Sequence, residues 1–238
     1  MHRIPSIHKY CNRWCDRCSF RTRCGFYLAK HDEKGEIDWS EGLEERSASI
    51  SHPFQALDLD QAKALEQKLK AREKAGPFNI DKEPLILLYQ KWEAKYHNLQ
   101  KDLQTSKHYQ KLEDSAFLKD EFEMKLDNAV QVLDHYHDFI GPKLMRALGG
   151  KHDELNLNSS NQSDWNGTAK VAAYAIKHLR LALEDLFELR IALQTDLAEF
   201  LGDTNRLLRT LSFEFPDLEK FIRPGFDSLG HKRISGIH

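Results

Sequence analysis

A long helical pattern occupies residues 113–148, EDSAFLKDEFEMKLDNAVQVLDHYHDFIGPKLMRAL. Apolar side chains recur along it at steps of three and four, with one histidine on the same stripe: Phe122, Leu126, Val130, Leu133, His137, Ile140 and Leu144. This spacing places them on one face of an α-helix, which needs a partner surface to bury it. We expect Gly141-Pro142 to kink this helix, because proline lacks a backbone donor and crowds the preceding turn. Gly149-Gly150 is expected to end it.

Two neighbouring segments repeat this periodicity. The first begins near Asp81, a candidate N-cap, and carries the stripe Leu85, Leu88, Trp92, Tyr96, Leu99 and Leu103. The second, capped by Ser163 or Asp164, has the predicted core face Val171, Tyr174, His178, Ala182 and Leu186. Its pattern continues to Phe200, either as one very long helix or as two helices that separate near Thr195-Asp196.

The rest of the chain is less regular. Gly202-Asp203 is expected to break the last helical pattern, and FIRPGFDSLG, residues 221–230, is expected to form a turn and an irregular tail. Residues 31–80 form a polar connector that includes a solvated helical segment at 58–74. No period-two alternation bounded by turn residues occurs, so the predicted fold is all-α, with a four-helix-bundle-like core in residues 81–238.

The four cysteines of the chain, Cys11, Cys15, Cys18 and Cys24, fall within fourteen residues. Disulfides explain this spacing poorly, because two bridges would tie one short segment only to itself. Four thiols in the spacing C-x3-C-x2-C-x5-C are the number that a four-coordinate metal centre requires. Residues 1–30 are therefore predicted to be a cysteine-rich module that binds a metal or a cluster.

The identity of the metal follows from how the ligands are distributed. Structural zinc sites are usually built from two separated cysteine or histidine pairs, whereas this segment has neither a second pair nor a long spacer. Four thiolates on one winding segment suit a [4Fe–4S] cluster, whose irons occupy separate corners of a cube. Zinc remains the alternative.

The sub-run CDRCSFRTRC resembles the C-x2-C-x5-C segment of iron–sulfur exonucleases used in recombination and CRISPR adaptation. That resemblance covers about ten residues and implies the type of cluster, not the nuclease activity. In that family the remaining ligand lies far from the other three, whereas Cys11 is close by, and the nuclease core contains β-strands. The C-x3-C-x2-C spacing is also that of radical S-adenosylmethionine enzymes, but Cys24 supplies the fourth ligand that those enzymes leave out.

Charge is unevenly distributed along the chain. Residues 1–30 carry seven Lys or Arg against one Asp, a net charge of +6, whereas the whole chain has a net charge of −2. These basic residues, with Trp14, Phe20 and Phe26, could bind a nucleic acid. The simpler interpretation, which we favour, is that they compensate the negative charge of an all-cysteine cluster while the aromatic rings exclude water.

A second metal site in the bundle is the less favoured interpretation of its histidines. Di-iron bundles use Glu-x-x-His pairs, and the nearest equivalents are Asp134-x-x-His137, His178, and Glu93 with His97. No true Glu-x-x-His repeat occurs. With twelve histidines in the chain, one or two on an apolar stripe are expected to be hydrogen-bonded core residues.

The chain begins without an apolar stretch after its basic start, and no segment approaches the length of a membrane helix, so we expect a cytoplasmic protein with reduced thiols that does not contact a membrane. Glycine-rich phosphate loops and nucleophile elbows are absent from the sequence.

The chain also resembles a group of uncharacterised bacterial proteins, in the motifs YCxxWCxxC, NGTAKVA and FxRPGFD. We expect a redox or redox-sensing protein with a redox or protein partner, or alternatively a non-catalytic interaction protein stapled by zinc.

Overall fold

The structure is a computed structural model that describes residues 3–4, 6–31, 78–107, 120–153, 161–190 and 194–227, with residues 60, 63, 66, 67 and 70. Every regular element in these ranges is helical, which confirms the all-α prediction for this part of the chain. The helices are α1 (Gly25–His31), α2 (Pro84–Thr105), α3 (Glu121–Asp153), α4 (Asp164–Leu189) and α5 (Gln194–Glu214). Short 3₁₀ turns lie before α1, before α2 and after α5.

The described residues fall into two compact units. The first, called here the cysteine unit, contains the described residues up to 78 together with 222–227. The second, called here the helical unit, contains 79–153 and 161–221. The end of the chain was predicted to belong to the bundle, whereas residues 222–227 belong to the cysteine unit, where Phe226 contacts Phe20. Most of the predicted connector lies outside the described residues, but the five positions described between 60 and 70 are helical and exposed.

Four long helices form the helical unit. Helix α3 packs against α4, α4 against α5, α5 against α2, and α2 against α3. Their inward faces bury large apolar side chains almost completely, including Leu85, Trp92, Leu126, Leu133, Ile140, Leu144, Leu179 and Leu207. The stripes of α2 and α3 were predicted largely correctly, although Leu88 is only half-buried. Tyr174, predicted in the core face of α4, is 37% exposed.

The N-cap of α2 is Glu83, two residues later than the predicted cap at Asp81. Asn79 caps a separate 3₁₀ turn by accepting a hydrogen bond from the Asp81 amide (3.1 Å), and Pro84 then opens α2. Proline suits the first helical turn, because its missing amide would have no intrahelical acceptor there.

Helix α3 continues past the predicted end at Gly149-Gly150, and its described residues reach Asp153. Ala147 and Leu148 are buried just before the glycines, and Lys151 beyond them donates to the Glu214 carbonyl oxygen at the end of α5 (2.7 Å). These contacts hold the last turns in the helix despite the low helix propensity of glycine. At its start, Asp120 and Glu123 cap each other's amides, an arrangement typical of a helix N-terminus.

The pattern that follows residue 164 forms two helices. Arg190 adopts a left-handed backbone conformation (φ 55°) and ends α4, and α5 begins at Gln194, close to the predicted restart. The predicted break at Gly202-Asp203 is wrong. Phe200 and Thr204 are buried on either side of it, and the Thr204 hydroxyl accepts from Trp92 Nε1 of α2 (2.9 Å). None of the helices described here combines the length and apolarity needed to cross a lipid bilayer.

Candidate metal centre

The cysteine segment is a series of tight turns. Three 3₁₀ turns, Ile7–Lys9, Cys15–Arg17 and Arg21–Arg23, lie between or beside the cysteines. Backbone hydrogen bonds close the second and third turns, from the Cys18 amide to the Cys15 carbonyl (3.2 Å) and from the Cys24 amide to the Arg21 carbonyl (3.4 Å). Arg13 has a positive φ of 57°, which reverses the chain between the first two cysteines. The repeated changes of direction keep all four thiols within one short loop.

All four predicted ligands line a single cavity as free thiols. Cys24 is buried, and the other three are half-buried. Arg13 and Arg21 also line this cavity, and its described lining includes no Asp or Glu side chain. A pocket with four soft thiolate donors and only positive charged groups suits an anionic metal–thiolate centre.

Two thiols are held in environments that favour the protonated form. Burial raises the pKa of Cys11, and the proximity of Cys24 and Cys18 adds to the effect, although the Arg13 amide (3.4 Å from Cys11 Sγ) opposes it. Burial also raises the pKa of Cys15, and Cys18 adds to that effect. Like-charge repulsion between neighbouring thiolates is relieved by protonation, or by a bound metal cation that neutralises them.

Arginine side chains stack on the aromatic rings of this unit. The guanidinium of Arg17 lies over the Trp14 ring, 4.1 Å from its centroid, and that of Arg13 lies 5.2 Å from the centroid of Phe26. Both contacts are cation–π interactions within the same segment. The charge-compensating role of these arginines stays a prediction.

The C-terminal segment completes the cavity. Phe226 lines it and meets the ring of Phe20 edge-on at 5.0 Å. Arg223, which is 8% exposed, holds this turn by donating to both carboxylate oxygens of Asp227 (2.9 and 3.0 Å). Gly225 adopts φ +79°, and a Cβ there would lie 2.9 Å from Ile7 Cδ1.

Sequence analysis did not connect this tail with the cysteines. The signal that could have indicated a built turn is RPGFD, residues 223–227, where Pro-Gly favours a tight turn and Arg and Asp can pair across four residues. The residues of this turn do not themselves indicate which distant segment the turn contacts.

The candidate ligands of the helical unit are only partly brought together. Glu93, His97 and His137 form a group whose ligand atoms all lie within 4.8 Å of one another. Asp134 instead accepts a hydrogen bond from the Tyr96 hydroxyl (2.7 Å). His178 stacks on Tyr136 with 5.6 Å between ring centroids, outside the group.

Comparison of the chain with protein-family models, curated proteins and solved structures gave no match.

Proposed function

We propose that Cys11, Cys15, Cys18 and Cys24 together hold one [4Fe–4S] cluster, and that the protein has an electron-transfer or redox-sensing role. The observation that carries this proposal is the shared cavity of four free thiols, lined by arginines and no described carboxylate. Thiolate ligation and compensating cations are the requirements of an all-cysteine cluster.

Eight residues of the cavity have a function in this proposal. The four cysteines supply one ligand to each iron, and Arg13 and Arg21 offset the negative charge. Phe20 and Phe226 exclude water from one side, which influences the reduction potential. When bound, such a cluster gains or loses a single electron. With all four corners ligated by protein, it has no open iron for a substrate, which favours electron transfer or sensing over catalysis at the cluster.

Purification without oxygen tests the proposal directly. We expect a brown protein with four iron and four sulfide per chain, and a broad sulfur-to-iron absorption band that dithionite bleaches and reoxidation restores. A colourless protein with one zinc per chain would contradict it, and would support the alternative of a zinc-stapled interaction protein.

Single substitutions test the ligand set. Cys11→Ser, Cys15→Ser, Cys18→Ser and Cys24→Ser should each reduce the iron content sharply, because a hydroxyl is a poor substitute for a soft thiolate. Thr22→Ala is a matched control, since Thr22 is exposed in the same segment. Full cluster content in Cys11→Ser would show that only three of the cysteines are ligands.

A further inference from the structure

We propose that Glu93, His97 and His137 form a second metal site, for one divalent first-row transition ion such as Zn²⁺ or Fe²⁺. The site lies within the helical unit and does not rest on the proposed cluster. Two histidines and one carboxylate are the ligand set that proteins use for such ions when some coordination positions stay open.

The geometry of two packed helices creates the group. Glu93 and His97 are four residues apart on α2, so they lie one above the other on the same face. Helix α3 presents His137 to that face, where its ring lies 5.0 Å from the ring of His97, centroid to centroid. All three ligand atoms lie within 4.8 Å of one another, so small side-chain rotations bring them onto one ion.

The strongest indication comes from the two nitrogens of His137. Its Nδ1 lies 2.9 Å from Asp138 Oδ1, and its buried Nε2 has no hydrogen-bond partner. If Nδ1 carries the proton and donates it to Asp138, the lone pair of Nε2 is free. Nε2 lies 3.9 Å from Glu93 Oε1, too far for a hydrogen bond but suitable for a cation between them. Carboxylate–histidine–metal arrangements of this kind fix the ring and increase its basicity.

A residue that is not a proposed ligand, Tyr89, also fixes the position of the Glu93 carboxylate. The Tyr89 hydroxyl donates to Glu93 Oε1 (2.9 Å), and burial, with the bond to Glu93, raises the pKa of Tyr89 well above its usual value. Tyr89 reaches this position because residue 141 of α3 is glycine: a Cβ there would lie 2.8 Å from the tyrosine ring. The close approach of α2 and α3 at Gly141 therefore places the carboxylate.

Asp134 has a positioning role in this arrangement. It accepts from the Tyr96 hydroxyl, and the Tyr96 ring stacks on His137 with 4.0 Å between centroids and 16° between planes. The third ligand, His97, is exposed, and Glu93 is partly exposed. An ion can therefore enter from solvent and keep water, or accept a small ligand, in its remaining positions.

Titration of the full-length protein with Co²⁺, a spectroscopic substitute for Zn²⁺, tests the site. We expect one Co²⁺ per chain beyond the cysteine centre, with ligand-field bands of nitrogen and oxygen ligands and no thiolate-to-cobalt charge transfer. The full-length quadruple Cys→Ser variant should keep this binding, which separates the result from the fate of the cluster proposal.

Variants assign the ligands. His97→Ala changes an exposed side chain, so the variant should fold normally. It should weaken Co²⁺ binding more than about 100-fold, which exceeds the typical effect of removing a residue that only hydrogen-bonds to a metal ligand. Tyr89→Phe removes only the hydrogen bond to the ligand Glu93, so it should weaken Co²⁺ binding about 10-fold. His178→Gln is the matched control, a half-buried histidine of the same unit outside the group, and should leave binding unchanged.

Thermal unfolding gives an independent readout. Zn²⁺ should raise the melting temperature of the wild type and the His178→Gln variant, but not of His97→Ala. The proposal is overturned if no saturable Co²⁺ binding occurs beyond the cysteine centre, if His97→Ala binds as the wild type does, or if His178→Gln weakens binding as much as His97→Ala.

Discussion

The cysteine unit and the helical unit are held together by different means. The helical unit buries large side chains from four long helices, with Trp92, Tyr136 and Phe215 among the most enclosed. In the described part of the cysteine unit, the buried residues are Ile7, Cys24 and Arg223, and α1 has only seven residues. Burial of apolar surface is the main source of folding free energy. The helical unit therefore has its own stabilising core, whereas we expect the cysteine unit to depend on the centre proposed for its four cysteines.

Removal of the four ligands should separate the two units most clearly. We expect the quadruple Cys→Ser variant to lose the fixed structure of the cysteine unit, because metal binding to such a small module supplies most of its folding free energy, about 10–16 kcal/mol for structural zinc. The helical unit should remain folded. Amide exchange followed by mass spectrometry would show rapid exchange in residues 6–31 and retained protection in α3 and α4. Loss of protection in both regions would contradict the comparison.

A substitution at Trp92 should have the opposite effect: it should weaken the helical unit and leave the cysteine unit unchanged. Its ring is 1% exposed, lies 5.2 Å from the ring of Phe200, and donates to Thr204. Trp92→Ala should lower the unfolding free energy of the helical unit by about 3–5 kcal/mol through loss of packing. Urea unfolding followed by circular dichroism measures this. The iron content per folded chain should not change.

Trp14→Ala is the matched control in the cysteine unit. Trp14 is half-buried under the guanidinium of Arg17, so its removal should leave the urea transition of the helices in place. A comparable loss of helical stability would mean that the two units do not unfold independently.

A substitution at Gly225 tests whether the turn at residues 222–227 closes the cysteine cavity. Gly225→Ala puts a Cβ at φ +79° and 2.9 Å from Ile7, so the C-terminal turn should shift, at a cost of about 1–2 kcal/mol. The Gly225→Ala variant should therefore lose iron to a chelator faster than the wild type does. Gly25→Ala is the control, since nothing lies within 4 Å of its Cβ position and its φ is not positive. Equal rates of iron loss in the two variants would contradict a closing role for residues 222–227.

The smallest effect concerns the thiols of the metal-free protein. The pKa values of Cys11 and Cys15 are raised, so at neutral pH both carry less thiolate than an ordinary cysteine. That effect requires a folded unit, and we expect the metal-free unit to lose its fixed structure. Alkylation by iodoacetamide at pH 7 should therefore proceed at the rate measured in urea, and should rise about tenfold per pH unit as the thiolate forms. Peptide mass spectrometry follows each residue. Slower alkylation than in urea would show that the cysteine unit stays folded without metal, and would contradict its expected dependence on the proposed centre.

The parts of the structure that sequence analysis predicted are those encoded locally. Periodic apolar residues gave the stripes of α2 and α3, because a helix exposes one face to its neighbours at fixed steps. Helix ends were predicted less well. Gly149-Gly150 and Gly202-Asp203 remain helical, since buried neighbours and contacts between helices outweigh the low propensity of glycine.

The candidate sites follow the same rule. Short segments join the four cysteines within fourteen residues, so a loop rich in turns can bring them to one cavity, and a shared site could be predicted. Glu93, His97 and His137 were all named as candidate ligands, but so were Asp134 and His178. Which of the five come together depends on the register between helices, which no single periodicity specifies. Phe226 was missed because its contact with Phe20 joins segments from opposite ends of the sequence.

That last contact has a consequence for the order in which the protein is made. About 200 residues separate Cys24 from Phe226, so at about 5–20 residues per second the ribosome needs about 10–40 s to synthesise the second after the first. During this interval the cysteines have left the ribosome but lack the turn that Arg223 and Asp227 hold together. Nascent chains would thus be open to a metal- or cluster-delivering protein before the C-terminal turn is in place.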